Sequence, residues 1–350
     1  MENLRDFTSD ELAGLMARLG ERPFRAGQVY GWVFGRGASD IDAMTDVALA
    51  LRARLKERFR IEGLEVDRIR SSIDGTARFR CLLADGAAIE SVIMPEGSRT
   101  TLCVSSQAGC ALGCRFCMTG KLGFERNLTM AELAGQVFAA RDILAAGGVD
   151  APEGGEITNV VLMGMGEPLD NYDNVLRFLT VLTDAKGMGF SPNKVTLSTA
   201  GVVPGIKRLG HDTGVNLAVS LNASTDAVRS KLMPINRRYP IGTLMAALRD
   251  YPLRGKKRIT VEYVLIKGVN DTDADARRLV KLLVGVRCKV NLIPFNTFPG
   301  SSFERPPAER VNRFHDIVMR SGRMVMTRLS RGADIEAACG QLRGAAARPG

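Results

Sequence analysis

The apolar positions of this chain fall into three successive textures. Up to about residue 60 they recur at helical spacing. The stretches "TSDELAGLMARLG" (8–20), "FRAGQVYGWVFGRG" (24–37) and "VALALRARLKERF" (47–59) each set apolar side chains three and four apart, and the first opens on a capping pattern. They predict a small helical module. From Thr76 the period shortens to two, so "ARFRCLLADGAAIESVIM" (77–94) reads as two strands around an Asp85-Gly86 turn, a hairpin signal. Beyond Pro95 strand-like runs alternate with amphipathic ones. The strands are expected at "TLCVSSQ", "ITNVVLMGMGEP", "KVTLSTAG", "VNLAVSLNAS", "RITVEYVLIKG", "CKVNLIPFN" and "MVMTRLSRG". The helices are expected at "TMAELAGQVFAARDIL", "YDNVLRFLTVLTD", "IGTLMAALRDY", "DADARRLVKLLVG" and "ERVNRFHDIVMRS".

Repeated strand-helix units with right-handed crossovers predict an α/β fold, a parallel sheet curled into a full or partial barrel. In such folds chemistry gathers at the C-terminal strand ends. The conspicuous residues fall there: three clustered cysteines, Gly164 to Pro168, Ser198, Ser220 to Asn222, and Asn296. The textures divide the chain into a helical accessory domain (1–70), a β-hairpin connector (71–95), the α/β core (96–335) and a C-terminal loop (336–350).

Composition narrows the class. With 350 residues, 45% hydrophobic and 25% charged, there is apolar material for a large core. No stretch approaches the ~18 uninterrupted apolar residues of a membrane span, and the N-terminus lacks a basic patch followed by an apolar run. A cytoplasmic protein that does not use a membrane is expected. The net charge of +10 points to an acidic partner such as nucleic acid. Lys and Arg cluster at Arg52 to Arg60, Arg229 to Arg238, Arg254 to Arg258 and Met319 to Gly332, although a basic solvated surface would look the same.

Seven cysteines, an odd number, in a reducing compartment argue against a disulfide framework. Cys110, Cys114 and Cys117 stand within eight residues, "CALGCRFC". Thiolates bind soft metals, and a cubane iron-sulfur cluster ordinarily takes four of them. Three would leave one iron open to a substrate or cofactor. The alternative is a zinc site completed by a distant Cys103, His211 or His315, although no second C-x-x-C or H-x-H pair follows.

The spacing C-x-x-x-C-x-aromatic-C after the first barrel strand resembles the radical S-adenosylmethionine superfamily. "MGMGEP" (163–168) is similar to that superfamily's glycine-containing segment. "TLCVSSQAGCALGCRFC", "NVVLMGMGEPLDN", "VTLSTAGVVPGI", "INRRYPI", "NLIPFNTFPG" and "RGADIEAACGQL", in this order over nearly the whole chain, resemble the RlmN/Cfr family of RNA adenine methyltransferases. The resemblance implies a partial (βα)6-type barrel and a 4Fe-4S cluster on Cys110, Cys114 and Cys117. It also implies two molecules of S-adenosylmethionine per turnover.

By the same resemblance Cys339 carries the methyl group, Cys103 resolves the protein–RNA link through a transient disulfide, and Glu90 accepts the ring proton. S-adenosylmethionine contacts carry over to Gly166, Glu167, Ser198, Ser220, Leu221, Asn222 and Asn296. Many relatives read Ser-Leu-His where this chain has Ser220-Leu221-Asn222, which removes an imidazole contact. The implied substrates are an adenosine of 23S rRNA and the adenosine beside the anticodon of tRNA, methylated at carbon 2. An electron donor such as flavodoxin or ferredoxin is implied as a partner, and the chain is expected to be a monomer. Methylation at carbon 8 by a Cfr-like enzyme is the rival chemistry. A non-enzymatic iron-sulfur or zinc RNA-binding protein is the rival class. From the residues alone, Cys103 in an apolar strand and Glu90 on a hairpin read as a buried hydrophobe and a solvated face residue.

Overall fold

The computed structural model describes residues 1–149 and 155–344, so the end of the 336–350 loop lies outside the described residues. The chain begins with β1 (Glu2–Asn3), α1 (Ser9–Arg18), α2 (Phe24–Tyr30), a π-turn over Gly31–Gly35, and α3 (Leu49–Arg58). β2 (Phe59–Arg60) then pairs with β1 and closes the module. α1 starts where its capping signal stands. The Thr8 hydroxyl accepts from the Glu11 N–H, and the Glu11 carboxylate accepts from the Thr8 N–H at 2.7 Å.

Four antiparallel strands follow: β3 (Glu65–Ser71), β4 (Ala77–Leu82), β5 (Ala88–Glu96) and β6 (Arg99–Cys103). The short ribbon of β7 (Gln107–Gly109) and β8 (Phe124–Asn127) brackets α4 (Met118–Leu122). After α5 (Met130–Ala145) the strands run parallel to β6. They are β9 (Asn159–Leu162), β10 (Val195–Thr199), β11 (Asn216–Ser220), β12 (Ile259–Leu265), β13 (Cys288–Pro294) and β14 (Val325–Thr327). Between them lie α6 (Tyr172–Thr183), α7 (Val203–Asp212), α8 (Asp226–Leu232), α9 (Ile241–Arg249), α10 (Asp273–Leu282) and α11 (Ala308–Arg320).

All the main strands share one ten-stranded sheet, in the order β14-β13-β12-β11-β10-β9-β6-β5-β4-β3. It is open, with β14 and β3 as edges, which makes it a partial barrel of six strand-helix units and a short seventh strand. The hairpin expected as a connector is part of this sheet. It is joined by β3, a strand absent from the sequence reading. β3 is almost wholly exposed and polar, as an edge strand can be, so no apolar alternation marks it.

Alternation on the parallel strands divides two environments. On β12, Ile259, Val261, Tyr263 and Leu265 are buried toward the helices, and the Tyr263 ring lies 5.3 Å from Phe314 of α11. Thr260, Glu262 and Val264 face the concave interior. The N-terminal module docks on the helical layer through the Asp6 carboxylate, which accepts from the Ala131 N–H at 2.8 Å, and through Arg177 with Glu11 at 2.9 Å. No helix among the described residues is long and apolar enough to cross a membrane.

Candidate active site

The three clustered cysteines sit on a loop pinned at both ends. Gly109 has φ +75°, and a Cβ there would collide with the Gly123 carbonyl, the same oxygen that accepts the Cys110 N–H at 2.7 Å. At the far end Cys117 precedes α4, and its N–H reaches the Cys114 carbonyl at 3.1 Å. The loop leans on α8 through Arg115 N–H to the Leu232 carbonyl, 3.0 Å. It is tied to the C-terminal segment by Met118 N–H to the Gly340 carbonyl, 2.7 Å.

Cys110, Cys114 and Cys117 all line one cavity of about 1500 Å³, including the solvent at its mouth. Burial pushes the Cys110 thiol up to about 12 and raises Cys114 and Cys117 as well. A bound metal reverses this preference, because it takes the thiolate and displaces the proton. Among the described residues no three His, Cys, Asp or Glu side chains converge as they do on a single ion. Three thiols presented by one loop to one cavity are soft donors of the kind an iron-sulfur cluster takes, one to each of three irons. His211 on α7 and His315 on α11 do not line the cavity. The thiol set therefore fits the implied cluster.

The rest of the wall comes from strand ends, as the topology demands. Gly166 has φ +97°, and a Cβ there would strike Gln107 at 2.5 Å, so only glycine lets the segment after β9 approach β7. Glu167 is buried, and burial lifts its carboxyl to about 7 despite N–H donors from Ala200 (2.7 Å) and Leu169 (3.1 Å). Such a carboxyl lacks a cation. The ammonium of an amino-acid ligand would supply one. Ser198 donates to Glu262 Oε2 at 3.0 Å, and Ser220 and Asn296 complete this side. The Asn296 amide donates to the Cys339 carbonyl at 3.3 Å.

Asn222 stands at φ +55°, a left-handed backbone that asparagine tolerates better than most residues. Its Oδ1 accepts from the Val264 N–H at 2.8 Å, and its amide touches Met233 Sδ at 3.3 Å. Asn222 thus braces β11 against β12 as well as facing the cavity.

Cys103, at the end of β6, and Cys339, on the C-terminal segment, line the same cavity from opposite sides of the chain. Cys103 is buried and its thiol is pushed up to about 12, chiefly by burial. Cys339 is exposed. All seven cysteines are free thiols, and Cys81 and Cys288 are buried in strands away from the cavity.

Two expected residues are not on the cavity wall. Leu221 is fully buried, and its N–H and carbonyl already bond Glu262, Ala223 and Arg229. Glu90 is buried rather than solvated. It shares the inner face of β5 with the cavity-lining Val92 and Met94, but its carboxylate is covered by the Arg343 N–H (2.8 Å) and lies 3.5 Å from Arg78.

Three residues escaped the sequence reading. Glu262 and Arg328 are charged groups on the cavity wall. Arg229 was assigned to a basic surface cluster, yet it is fully buried, and it holds together the loops after β10 and β11. The available signal for Glu262 was a carboxylate inside an otherwise apolar parallel strand, "ITVEYVL".

Comparison with known proteins gives the same picture from outside. Residues 2–61 match the family model "Ribosomal RNA large subunit methyltransferase N-terminal domain", and residues 104–280 match "Radical SAM superfamily". A dual-specificity RNA methyltransferase RlmN of Syntrophotalea carbinolica is 52% identical over 98% of this chain and 90% of its own. One of Rhodospirillum rubrum is 50% identical over 97% and 80%. The crystal structure of a radical SAM methyltransferase from Sphaerobacter thermophilus superposes with a TM-score of 0.90 at 46% identity, covering 99% of this chain and all of that one.

Proposed function

The chain belongs to the RlmN family of radical S-adenosylmethionine RNA methyltransferases, and on that premise we propose what each residue of the cavity does. Cys110, Cys114 and Cys117 hold the 4Fe-4S cluster. Gly166, Glu167, Ser198, Ser220, Asn222 and Asn296 receive S-adenosylmethionine, with Leu221 contributing backbone shape. The cluster and S-adenosylmethionine together supply a carbon-centred radical inside the cavity.

The target is carbon 2 of an adenine, an electron-poor position between two ring nitrogens that does not attack an electrophilic methyl group. Cys339 carries the methyl group to it. Its exposure inside the cavity suits a thiol that must meet S-adenosylmethionine and then the base. Once the carrier carbon has joined the ring, the protein and RNA are linked through the Cys339 sulfur. After the adduct has given up one electron and Glu90 has taken the proton from ring carbon 2, Cys103 attacks the Cys339 sulfur. The carbon–sulfur bond breaks, its electron pair stays on the carbon, which takes up a proton to complete the methyl group, and a Cys103–Cys339 disulfide remains. Glu90 Oε2 accepts the Arg343 N–H at 2.8 Å, so the C-terminal segment that carries Cys339 also holds the carboxylate that takes the proton.

The substrates are 23S rRNA and tRNA, whose base must be splayed out to reach the cavity. The exposed Lys231, Arg237 and Arg238 and the N-terminal module are the RNA-facing surface. A flavodoxin or ferredoxin supplies the electron to a monomeric enzyme in the cytoplasm.

The observation that carries this reading is the meeting of Cys103, Cys339 and the three loop cysteines at one cavity. The test is Cys103→Ala expressed in cells. It retains the carrier and loses only the resolving thiol, so it is expected to purify with RNA bound covalently through Cys339, and the Cys103→Ala/Cys339→Ala double variant to carry none. Unlinked Cys103→Ala with normal RNA methylation would return Cys103 to a buried strand residue.

A further inference from the structure

Arg328 follows β14 and places its guanidinium in the wall of the cavity that also presents Cys103 and Cys339. Its main chain is anchored, the N–H donating to the Leu292 carbonyl at 2.8 Å. Its head group has no carboxylate within 4.0 Å among the described residues, and its side-chain contact is Met94 Sδ at 3.9 Å. The nearby Glu262 carboxylate takes the Ser198 hydroxyl instead. A guanidinium on the cavity wall whose donors no protein oxygen takes up can give them to a ligand. Arg328 lines the cavity together with both sulfurs, and Cys339 and Glu262 are the charges that do most to hold the guanidinium protonated.

The position decides what that ligand is. In the linked species carbon 2 of the adenine is one carbon away from the Cys339 sulfur, and Cys103 must reach that same sulfur. A group facing both sulfurs therefore faces the ring atoms beside carbon 2. Those atoms are N1 and N3, both lone-pair acceptors, and a guanidinium has only donors.

We propose that Arg328 donates a hydrogen bond to the ring nitrogen flanking carbon 2 of the target adenine. The bond draws electron density from carbon 2, which favours attack by the carrier carbon. It also acidifies the hydrogen that must leave as a proton. It adds no covalent step, and it selects a base with an acceptor at that edge. This rests on the assignment of Cys339 and Cys103 above.

The test is a cycle on the holoenzyme that combines Arg328→Met with RNA carrying adenosine, 1-deazaadenosine or 3-deazaadenosine at the target position. Losing a charged hydrogen bond is expected to lower the single-turnover rate of Arg328→Met on adenosine by about ten- to a hundredfold. On the analogue lacking the bonded nitrogen, wild type and variant are expected to be equally slow, because the intrinsic effect of the analogue cancels in the cycle. The same deficit on all three RNAs would overturn the proposal and leave Arg328 structural. Mass spectrometry of Cys339 accompanies each arm. A variant that still gains the methyl group shows that the carrier step and the fold survive, and Arg328→Gln replaces Arg328→Met if it does not. Wild type that never methylates Cys339 would instead overturn the parent reading.

Discussion

Arg229→Met should loosen the S-adenosylmethionine site while leaving RNA binding intact. The guanidinium is fully buried and has no carboxylate partner among the described residues. Nη2 donates to the Ala200 carbonyl at 2.7 Å and the Ser220 carbonyl at 3.2 Å, Nε to the Leu221 carbonyl at 3.0 Å, and Nη1 to Asn236 Oδ1 at 3.0 Å. Desolvation pulls its pKa down to about 10, so it remains charged at neutral pH. One cation thus binds the loop after β10 to the loop after β11 through their main chains.

Methionine fills most of the volume and donates nothing. The Leu221 carbonyl keeps the Ala223 N–H at 2.8 Å, so four acceptors lose a donor: the Ala200 and Ser220 carbonyls, Asn236 Oδ1 and, from 3.5 Å, the Tyr239 carbonyl. At about 1–3 kcal/mol for each orphaned buried acceptor, less the relief of no longer burying a cation, the net loss is about 3 kcal/mol. That is a large part of the ~5–15 kcal/mol by which a fold is usually stable. Urea unfolding measures the stability, and equilibrium dialysis the affinity for S-adenosylmethionine, expected to fall about tenfold as the two loops lose register. RNA affinity and its salt slope should not change. A variant of normal stability whose RNA affinity drops, with the log-log salt slope reduced by about one, would place Arg229 on the RNA surface and refute the clamp.

Other perturbations separate the remaining roles. Each of Cys110→Ala, Cys114→Ala and Cys117→Ala should abolish cluster assembly and 5'-deoxyadenosine formation at a nearly unchanged urea midpoint; stoichiometric tight zinc without iron after anaerobic reconstitution would contradict the cluster assignment. Asn222→Gly and Asn222→Ala both lose the bond to Val264, but only alanine is strained at φ +55°, so Ala should unfold at lower urea than Gly, and the reverse order would remove the backbone argument. Glu167, raised from 4.5 to about 7, keeps its proton in the folded apoprotein where the unfolded chain has lost it. Its contribution to stability therefore falls as pH rises from about 4.5 to about 7, by about 3 kcal/mol, and is flat above. Relative to wild type, Glu167→Gln should gain stability across that window; parallel pH profiles would show that the carboxyl does not titrate there.

The parts of the site that were legible in the sequence are those whose chemistry is local. Three cysteines in eight residues need no partner from elsewhere to suggest a cluster, and a capping box such as Thr8 with Glu11 completes itself within one turn. The alternation of strand and helix was equally readable, because a strand buried on both faces and a helix buried on one leave different periods. β3 was not readable, since an exposed edge strand needs no apolar face. Charge misled for a related reason. Within Arg229 to Arg238 the composition is uniform, yet Arg229 is buried while Arg237 and Arg238 are exposed. Only the crossing of α8 over the ends of β10 and β11 distinguishes them.

Glu90 and Arg328 show the same limit from opposite directions. Position along the strand puts Glu90 on the inner face of β5, but nothing near it in sequence says that residue 343, more than two hundred positions away, covers it. Arg328 lies in a stretch that reads as basic surface, and its isolation inside the cavity follows from where β14 ends and where Cys339 returns. Both residues act on the same adenine position in the scheme above, one taking the proton from carbon 2 and the other polarising the ring beside it. One is covered by a main-chain N–H and the other is exposed to the cavity. On the roles proposed above, the C-terminal segment joins the methyl carrier Cys339 to the proton acceptor Glu90 through the Arg343 N–H, and Arg328 meets the base from the end of β14.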